Sequence, residues 1–440
     1  MKTILSFTLI LLSVVSCIKE DFSQNLPKSV TSEGVATQLP PIWGKSMTDG
    51  PPNYGMYSGY TYKNNPVALA KRKTDNPLFK TIGESYLVLK DLNTGENIWS
   101  WNEQFTSNSF NSFLHNYFIQ DNLMIIVDGS YHYCINLDTG KTVWKVRQPM
   151  SYGNRSVTNL GDSYYLLGIL PETQGKKGLK DGVFKANVLN GNVSHLVTPK
   201  YETIVFPNDN DQTLKGVVHY ASPIKINTDT LLAIVFSEAV NNDVNAKWHS
   251  YMGLYNTTKQ TWLYEKVELS NPTEGGTSGG FPRFIDNDII IGFGLPTTIG
   301  RFDVIKGQWK WRNKFLPQGV STSDKLVADN KVLVNGTDGV LYCLNGEYGF
   351  REWELNASVT VSDLYYQNGV VYCIGGTKLK AIEVATGKLL WDIPSPDIKL
   401  NKISDSWFQG FVTGVPAQNG KKGKIIATTD HSIYCFEAVK

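Results

Sequence analysis

The residues best suited to chemistry are scattered along the 440-residue chain and form no recognisable motif. No two histidines have the spacing of a metal-ligand pair, so each is interpreted as a surface or strand residue. The six are His115, His132, His195, His219, His249 and His431. No family signature of a Ser-His-Asp triad is present, although the fold can assemble a triad that sequence order does not show.

Two polar stretches have the composition of ligand-binding loops. Residues 275–280 are rich in glycine, but the Gly-Lys-Ser/Thr ending of a phosphate-binding loop is missing. Asp209 and Asp211 resemble part of a calcium loop, but the glycine and the later glutamate of an EF-hand are missing. Both stretches are therefore interpreted as loops between strands, and we predict no catalytic residue, metal ion or cofactor.

A short phrase returns along the chain and points to architecture. Its clearest copy runs from Asp138 to Trp144, and close copies end at Trp99 and Trp391. Looser copies end at Trp262, Trp311 and Trp353, and a seventh has His195 in place of the tryptophan. A glycine precedes the tryptophan by four residues in five of the six tryptophan copies, with Thr258 in the sixth. Such a phrase predicts a hairpin whose glycine allows a tight turn and whose ring packs between sheets.

Two further apolar runs precede each hairpin, so each unit is expected to contain four antiparallel strands. Units of about 40–50 residues with four strands are the blades of a β-propeller, and we predict this all-β fold for residues 40–440. Seven hairpins are complete, and the last unit has three strands. A lone strand at Pro41-Ile42-Trp43 is expected to complete that unit by pairing the two ends of the chain, which gives eight blades. Seven blades remain the alternative if Trp43 is not in a blade.

The first residues predict export and lipidation. Lys2 is followed by an apolar run from Ile4 to Val15 and then by Ser16-Cys17, the pattern of a bacterial lipoprotein signal. The run is shorter than the roughly 20 residues of a transmembrane helix. Residues 1–17 are predicted to be the signal segment with a lipidated Cys17, and residues 18–39 a disordered tether. The expected location is the outer membrane, on the periplasmic or the cell-surface side.

The other cysteines and the overall charge exclude several functions. Cys134, Cys343 and Cys435 occupy the same place in their units, where Ala381 stands in another unit. A place shared by cysteine and alanine is a small buried one, so free thiols are expected. The formal net charge of +2 does not favour a nucleic-acid partner.

The repeated Thr-Gly-Lys phrase with its later tryptophan resembles the repeat of the quinoprotein, or PQQ-like, β-propeller family. The resemblance extends from Trp43 to Phe436 and implies the fold more than the function. The family includes dehydrogenases that bind a quinone and calcium and carry an adjacent cysteine pair, which this chain lacks. It also includes BamB-like lipoproteins, which are cofactor-free scaffolds for assembling outer-membrane proteins. The lipoprotein signal and the length are similar to the second group.

The sequence therefore predicts a non-catalytic scaffold that binds envelope proteins. The alternatives are a surface lipoprotein that binds glycans or small ligands and, more distantly, a quinone-dependent dehydrogenase. Candidate contacts are aromatic residues outside the repeated tryptophan place, which could anchor a protein or stack on a sugar: Tyr54, Tyr57, Trp248 and Trp407. The two tyrosines could instead pack along a blade strand.

Overall fold

The computed structural model describes most of the chain as short strands. The described residues are 26, 28–47, 60–72, 84–101, 117–128, 130–148, 157–170, 179–201, 214–239, 248–270, 282–293, 298–313, 322–359, 362–401 and 406–440. Within these ranges the one helix is Asp397–Leu400. In the described residues, no helix is long and apolar enough to cross a membrane.

The strands form eight successive units of four antiparallel strands, which we number as blades 1–8. The first four blades are Tyr60–Tyr62, Asn65–Arg72, Glu84–Lys90 and Asn97–Trp101; Tyr117–Gln120, Leu123–Asp128, Tyr131–Asn136 and Lys141–Arg147; Thr158–Leu160, Ser163–Ile169, Leu179–Asn187 and Val193–Val197; and Leu214–Ile226, Asp229–Ala239, Trp248–Asn256 and Thr261–Ser270. The next three are Arg283–Ile285, Asp288–Phe293, Thr298–Asp303 and Gln308–Asn313; Thr322–Ala328, Lys331–Gly336, Gly339–Asn345 and Arg351–Val359; and Tyr365–Gln367, Val370–Gly375, Lys378–Glu383 and Leu389–Ile393. First strands of neighbouring blades contact each other between blades 3 and 4, 5 and 6, 6 and 7, 7 and 8, and 8 and 1, which places the first strands innermost.

Blade 8 contains strands from both ends of the described chain. Its first three strands are Phe408–Val415, Lys424–Thr429 and Ser432–Glu437. The fourth is Trp43–Ser46, which pairs antiparallel with Ser432–Glu437 and places Trp43 opposite Cys435. The indole Nε1 of Trp43 donates to the carbonyl of Leu92 in blade 1 at 2.7 Å. The N-terminal strand therefore links blade 8 to blade 1, as the eight-blade interpretation requires.

The segment before this strand is ordered further than the sequence indicated. Ser29–Val30 and Ala36–Gln38 form a small hairpin, and Ala36 pairs in parallel with Trp391 at the edge of blade 7. Ala36 is 5% exposed and joins the core between blades 7 and 8. The predicted tether over residues 18–39 is therefore wrong in its last part, because this apolar contact holds the segment to the sheet. Residues 1–25, with Cys17, lie outside the described residues.

Each repeated tryptophan packs on the next blade. The indole nitrogen donates to a backbone carbonyl in the following blade, at 2.8 Å for Trp99 and Leu137 and at 2.9 Å for Trp353 and Val384. A Cβ atom placed on the glycine of that next turn would lie 2.5–2.8 Å from the ring at Gly95, Gly140, Gly191, Gly349 and Gly387. The glycine therefore has two roles, since its φ is positive and it leaves room for the ring of the preceding blade.

The junctions around blade 4 depart from this pattern together. His195 of blade 3 occupies the tryptophan place opposite Phe184. In the blade 4 turn the glycine place is occupied by Gln260, which has a φ of 56° and lies four residues after Asn256, as Gly140 does after Asn136. The copy that the sequence places at Thr258 and Trp262 is therefore shifted by two residues. In blade 4 the residue that reaches the next blade is Tyr264, whose hydroxyl donates to the carbonyl of Val304 at 2.5 Å. Trp262 packs instead against Tyr255, so it is not equivalent to the other repeated tryptophans. Tyr264 lies four residues after Gln260 and opposite Leu254, which is the register that Trp144 has opposite Cys134.

The cysteine place is confirmed as a buried slot. Cys134, Cys343 and Cys435 lie opposite Trp144, Trp353 and Trp43, and Ala381 lies opposite Trp391. Each of these three thiols is free and buried, and burial raises the pKa of each to about 12. The thiols are thus small packing groups in their protonated form.

Variants at two glycines of blade 7 can measure the two roles of the repeated glycine separately. Gly387 and Gly369 have φ values of 73° and 75°, but a Cβ on Gly387 would lie 2.8 Å from Trp353, whereas one on Gly369 meets nothing within 4 Å. We expect Gly369→Ala to cost about 1 kcal/mol through backbone strain. Gly387→Ala should cost about 2–4 kcal/mol because overpacking adds to the same strain. Urea unfolding of both variants measures the difference, and equal costs would refute the docking role.

Candidate functional site: the loop face and the channel mouth

The two faces of the propeller differ in the connections that they carry. Because the strands of a blade alternate in direction, the first-to-second and third-to-fourth connections lie on one face, which we call the turn face. These are tight turns, such as residues 91–96 and 137–140. The second-to-third connections and the links between blades lie on the other face, the loop face. The longer connections, such as residues 48–59, 102–116, 202–213 and 271–281, all join strand ends on the loop face.

Blade 4 extends further toward the loop face than its neighbours. Its strands have 13, 11, 9 and 10 residues, while short turns hold them together at the turn face. At the loop-face end, Leu179 and Lys180 of blade 3 pair in parallel with Leu214 and Gly216. This pairing ties two blades into one sheet and makes blade 4 a supported ridge.

The aromatic residues predicted as contacts do not converge on one site. Trp248 begins the third strand of blade 4 opposite Ala239 and is half-buried. Trp407 precedes the first strand of blade 8 and is 40% exposed. Both lie on the loop face, but blades 4 and 8 are on opposite sides of an eight-membered ring. Tyr54 and Tyr57 lie outside the described residues.

A second group of side chains lies where the innermost strands begin, at the loop-face end of the central channel. The rings of Tyr60 and Tyr117, from blades 1 and 2, have centroids 4.6 Å apart in an edge-to-face arrangement. Across blades 5 and 6, Arg283 Nη2 donates to Asp324 Oδ1 at 2.9 Å. The other oxygen of Asp324 accepts from the backbone nitrogen of Leu364 at 3.0 Å, which brings in blade 7. We call this group the channel mouth.

The electrostatics show that these groups face one another across the channel. Tyr60 is 41% exposed, yet burial among the surrounding groups raises its pKa, with opposing effects from the positive Arg283 and the negative Asp363. Burial and the nearby Asp324 raise the pKa of Asp363 to about 7, against the effect of Arg283. The channel mouth therefore presents phenol hydroxyls, a guanidinium and a carboxyl that titrates near neutral pH, a set that can bind a polar ligand.

The histidines with close partners serve packing or surface contacts. In blade 4, His219 Nε2 lies 2.8 Å from Ser237 Oγ, which lies 2.7 Å from Ser250 Oγ. Both serines are fully buried, so this row across three strands offers no accessible nucleophile. His249 pairs with Glu268 at 3.0 Å near the edge of the same blade. Among the described residues no group of three or more possible ligands is placed to hold a metal ion.

The repeat has a counterpart among known families. A family model described as "Outer membrane protein assembly factor BamB" matches residues 248–440. These residues are similar to that family over 193 of the 440 residues. The matched region runs from the third strand of blade 4 through blades 5–8. No curated protein matches the sequence.

Solved structures support the propeller fold over most of the chain. The computationally designed Ika8 protein is 12% identical, with coverage of 90% of this chain and 100% of its own and a TM-score of 0.54. The Dos1 propeller is 6% identical, with coverage of 90% and 95% and a TM-score of 0.53. BamB from Moraxella catarrhalis is 15% identical, with coverage of 81% and 93% and a TM-score of 0.44. At such identities the first two show a common fold alone.

Sequence reasoning missed the channel mouth for a physical reason. Its residues come from five blades and are separated by up to 303 positions, from Tyr60 to Asp363. Each lies near the beginning of an innermost strand. The sequence alone does not mark these positions, because the strand register is not known at that point. The order of the blades could have suggested that such positions converge, but it could not select these side chains.

Proposed function

We propose that this protein is a non-catalytic β-propeller scaffold, anchored by lipid to the outer membrane, that binds envelope proteins during assembly of the outer membrane or its proteins. The observation that carries the proposal is the match of residues 248–440 to the family model described as an outer membrane assembly factor. The residues that recur in each blade serve packing between blades. They leave the loop face free to differ from blade to blade and to contact partners.

The loop face has the features of a protein-binding surface. The ridge of blade 4 projects from it, and Trp407 adds an exposed aromatic side chain. Large aromatic residues carry much of the binding energy where proteins meet. Trp248 and Trp407, on opposite sides of the ring, are suited to a broad partner surface more than to a small ligand.

The anchor is tested at Cys17. Replacing Cys17 with serine should abolish palmitate labelling and release the protein from the membrane fraction, because lipid attachment requires the thiol. The matched control is Cys134→Ala, which places in blade 2 the residue that blade 7 has at Ala381 and should keep the label. Retained label in C17S would refute the anchor without affecting the propeller.

The scaffold role is tested by co-purification of the tagged protein from outer membranes in mild detergent, with mass spectrometry as the readout. We expect defined envelope proteins to co-purify with the wild type and to be lost when Trp248 and Trp407 are both changed to serine. The variant should keep its melting temperature, because both positions lie at strand ends. An equal yield of the same proteins with the variant would show that this face does not bind them.

Binding of a surface glycan or small ligand is the second candidate, and the channel mouth favours it. Tyr60, Tyr117 and Arg283 offer aromatic edges and hydrogen-bond donors at the opening of a channel. Calorimetric titration with cell-surface oligosaccharides, compared between wild type and Tyr60→Ala, separates this candidate from the scaffold. Saturable binding that Y60A loses would support it.

A further inference from the structure

The turn between the third and fourth strands of blade 6 projects two aromatic rings into solvent. Tyr348 is 71% exposed and Phe350 is 53% exposed. Their ring centroids are 6.4 Å apart, and the ring planes differ by 8°. Aromatic side chains are seldom so exposed to solvent in a monomeric protein. Together Tyr348 and Phe350 form a small apolar surface on the turn face.

The architecture of the turn does not require these residues. The two positions flank the repeated glycine place, and the same positions are polar in the other six turns of this type. The equivalent pairs are Thr94 and Glu96, Thr139 and Lys141, Asn190 and Asn192, Lys259 and Thr261, Lys306 and Gln308, and Thr386 and Lys388. The aromatic pair is therefore a property of blade 6 alone among these turns, and packing between blades does not explain it.

The turn holds the rings in a fixed position. Asn345 organises it: its side-chain oxygen accepts from the backbone nitrogen of Tyr348 at 3.0 Å, and its backbone nitrogen donates to the carbonyl of Phe350 at 2.9 Å. Gly349 donates to the carbonyl of Asn345 at 2.8 Å and rests on the ring of Trp311. Because the backbone is already ordered, binding through these rings costs little conformational entropy.

Glu347 precedes Tyr348 in the chain and carries an exposed negative charge. The side chain of Glu347 is 55% exposed. Its Oε2 atom lies 3.3 Å from Nη1 of Arg301, whose side chain is buried at 5% exposure. Beside the rings, Arg351 and Glu354 pair with each other at 2.5 Å. An arginine from outside can stack on an aromatic ring and also meet a carboxylate, so this surface complements a guanidinium.

We propose that Tyr348, Phe350 and Glu347 form a docking knob that inserts into an apolar pocket of a partner protein with an arginine at its rim. Small-ligand and sugar sites are concave, whereas side chains this exposed project and cannot line a pocket. The partner therefore provides the cavity and is a protein. The inference rests on the proposed scaffold function and gives the turn face a contact separate from the loop face, so that the propeller can join two partners.

The test begins with a photo-crosslinking amino acid, p-benzoylphenylalanine, at position 348 in the full-length protein within its producing cells. The same group at position 139, in the equivalent turn of blade 2, is the matched control. We expect position 348 to crosslink one protein at a segment that contains an arginine, and position 139 not to. The crosslinked peptide, identified by mass spectrometry, gives the partner and its contact.

The identified protein is then purified and titrated against wild type and the double variant Y348T/F350K. This variant gives blade 6 the residues that blade 2 has at Thr139 and Lys141, so the fold and melting temperature should be retained. We expect binding at least about 10-fold weaker, as for loss of an aromatic hot spot. The crosslinking experiment tests the same contact independently, because its result does not depend on the stability of the double variant.

Several results would overturn the knob. These are unchanged affinity of Y348T/F350K, crosslinks at position 348 no stronger than at position 139, or crosslinks to polysaccharide or to a second copy of this chain. If these occur while the loop-face variant still loses its co-purifying proteins, the knob is wrong and the scaffold stands. If neither face binds a protein, both proposals are wrong.

Discussion

Replacing Asp397 with alanine should lower the free energy of unfolding by about 3–5 kcal/mol, because several charge-assisted hydrogen bonds lose their buried acceptor. Asp397 begins the short helix between blades 7 and 8 and is fully buried. Its two carboxylate oxygens accept hydrogen bonds from five side chains at 2.5–2.9 Å: Asn401, Ser406, Thr429, Ser432 and Tyr434. Urea unfolding followed by circular dichroism measures the loss.

The same carboxyl predicts a dependence on pH. Burial acts to raise its pKa, but the hydrogen bonds from Thr429, Tyr434, Ser406 and Asn401 outweigh burial and hold it below the usual value. A carboxyl whose pKa is depressed by folding stabilises the protein above its unfolded pKa of about 4, and this stability is lost as the pH falls through the folded pKa. Between pH 7 and pH 3 the wild type should therefore lose more stability than Asp397→Ala does.

The control for this prediction is Asp138→Asn. Asp138 also accepts from several groups, including Tyr62 at 2.7 Å, but its side chain is 41% exposed on the turn face. Water can replace the lost contacts there, so the change in stability should be much smaller. Equal losses for the two variants would mean that the Asp397 network is not the stabilising element described here.

Trp43→Ala should cost about 3–5 kcal/mol, as expected for removal of a buried tryptophan. Trp43 is 5% exposed and packs with residues of blades 1 and 8. It lies on the strand that joins the two ends of the chain, so its loss weakens the junction of blade 8 with blade 1. Trp144 of blade 2 is only partly buried, so its removal should cost less.

Trp43→Phe provides a matched variant. It keeps an aromatic ring but removes the hydrogen bond to Leu92, which should cost about 1 kcal/mol beyond the change in packing. Deletion of residues 40–46 should be more severe than either substitution, because it removes the whole fourth strand of blade 8. A deletion variant with an unchanged melting temperature would contradict the junction of the two ends through blade 8.

The repeat made the blade architecture predictable, because one phrase marks the same hairpin in each unit. Strand pairing confirmed the buried cysteine place and the strand at Trp43. The exceptions were less predictable. In blade 4 the structure has Gln260 at the glycine place and Tyr264 at the tryptophan place, two residues later than the phrase in the sequence indicated. Ala36 pairs with blade 7 through a contact that lies outside the repeat.

The groups with the strongest interactions were also the hardest to predict. The partners of Asp397 lie as far away as Tyr434, and nothing in the repeat marks them. The residues of the channel mouth meet only when the ring brings five blades together. In contrast, the aromatic pair at Tyr348 and Phe350 stands out when the seven turns are aligned, and the structure adds its exposure and rigidity.

The scaffold account is tested most directly by the composition of the complex that the tagged, lipidated protein forms in outer membranes. After extraction in mild detergent, the account predicts stoichiometric recovery of outer-membrane assembly or other envelope proteins, and loss of that recovery in the Trp248 and Trp407 double variant. Recovery of the propeller alone, from membranes in which it is present and folded, would contradict the account and favour the glycan or small-ligand function.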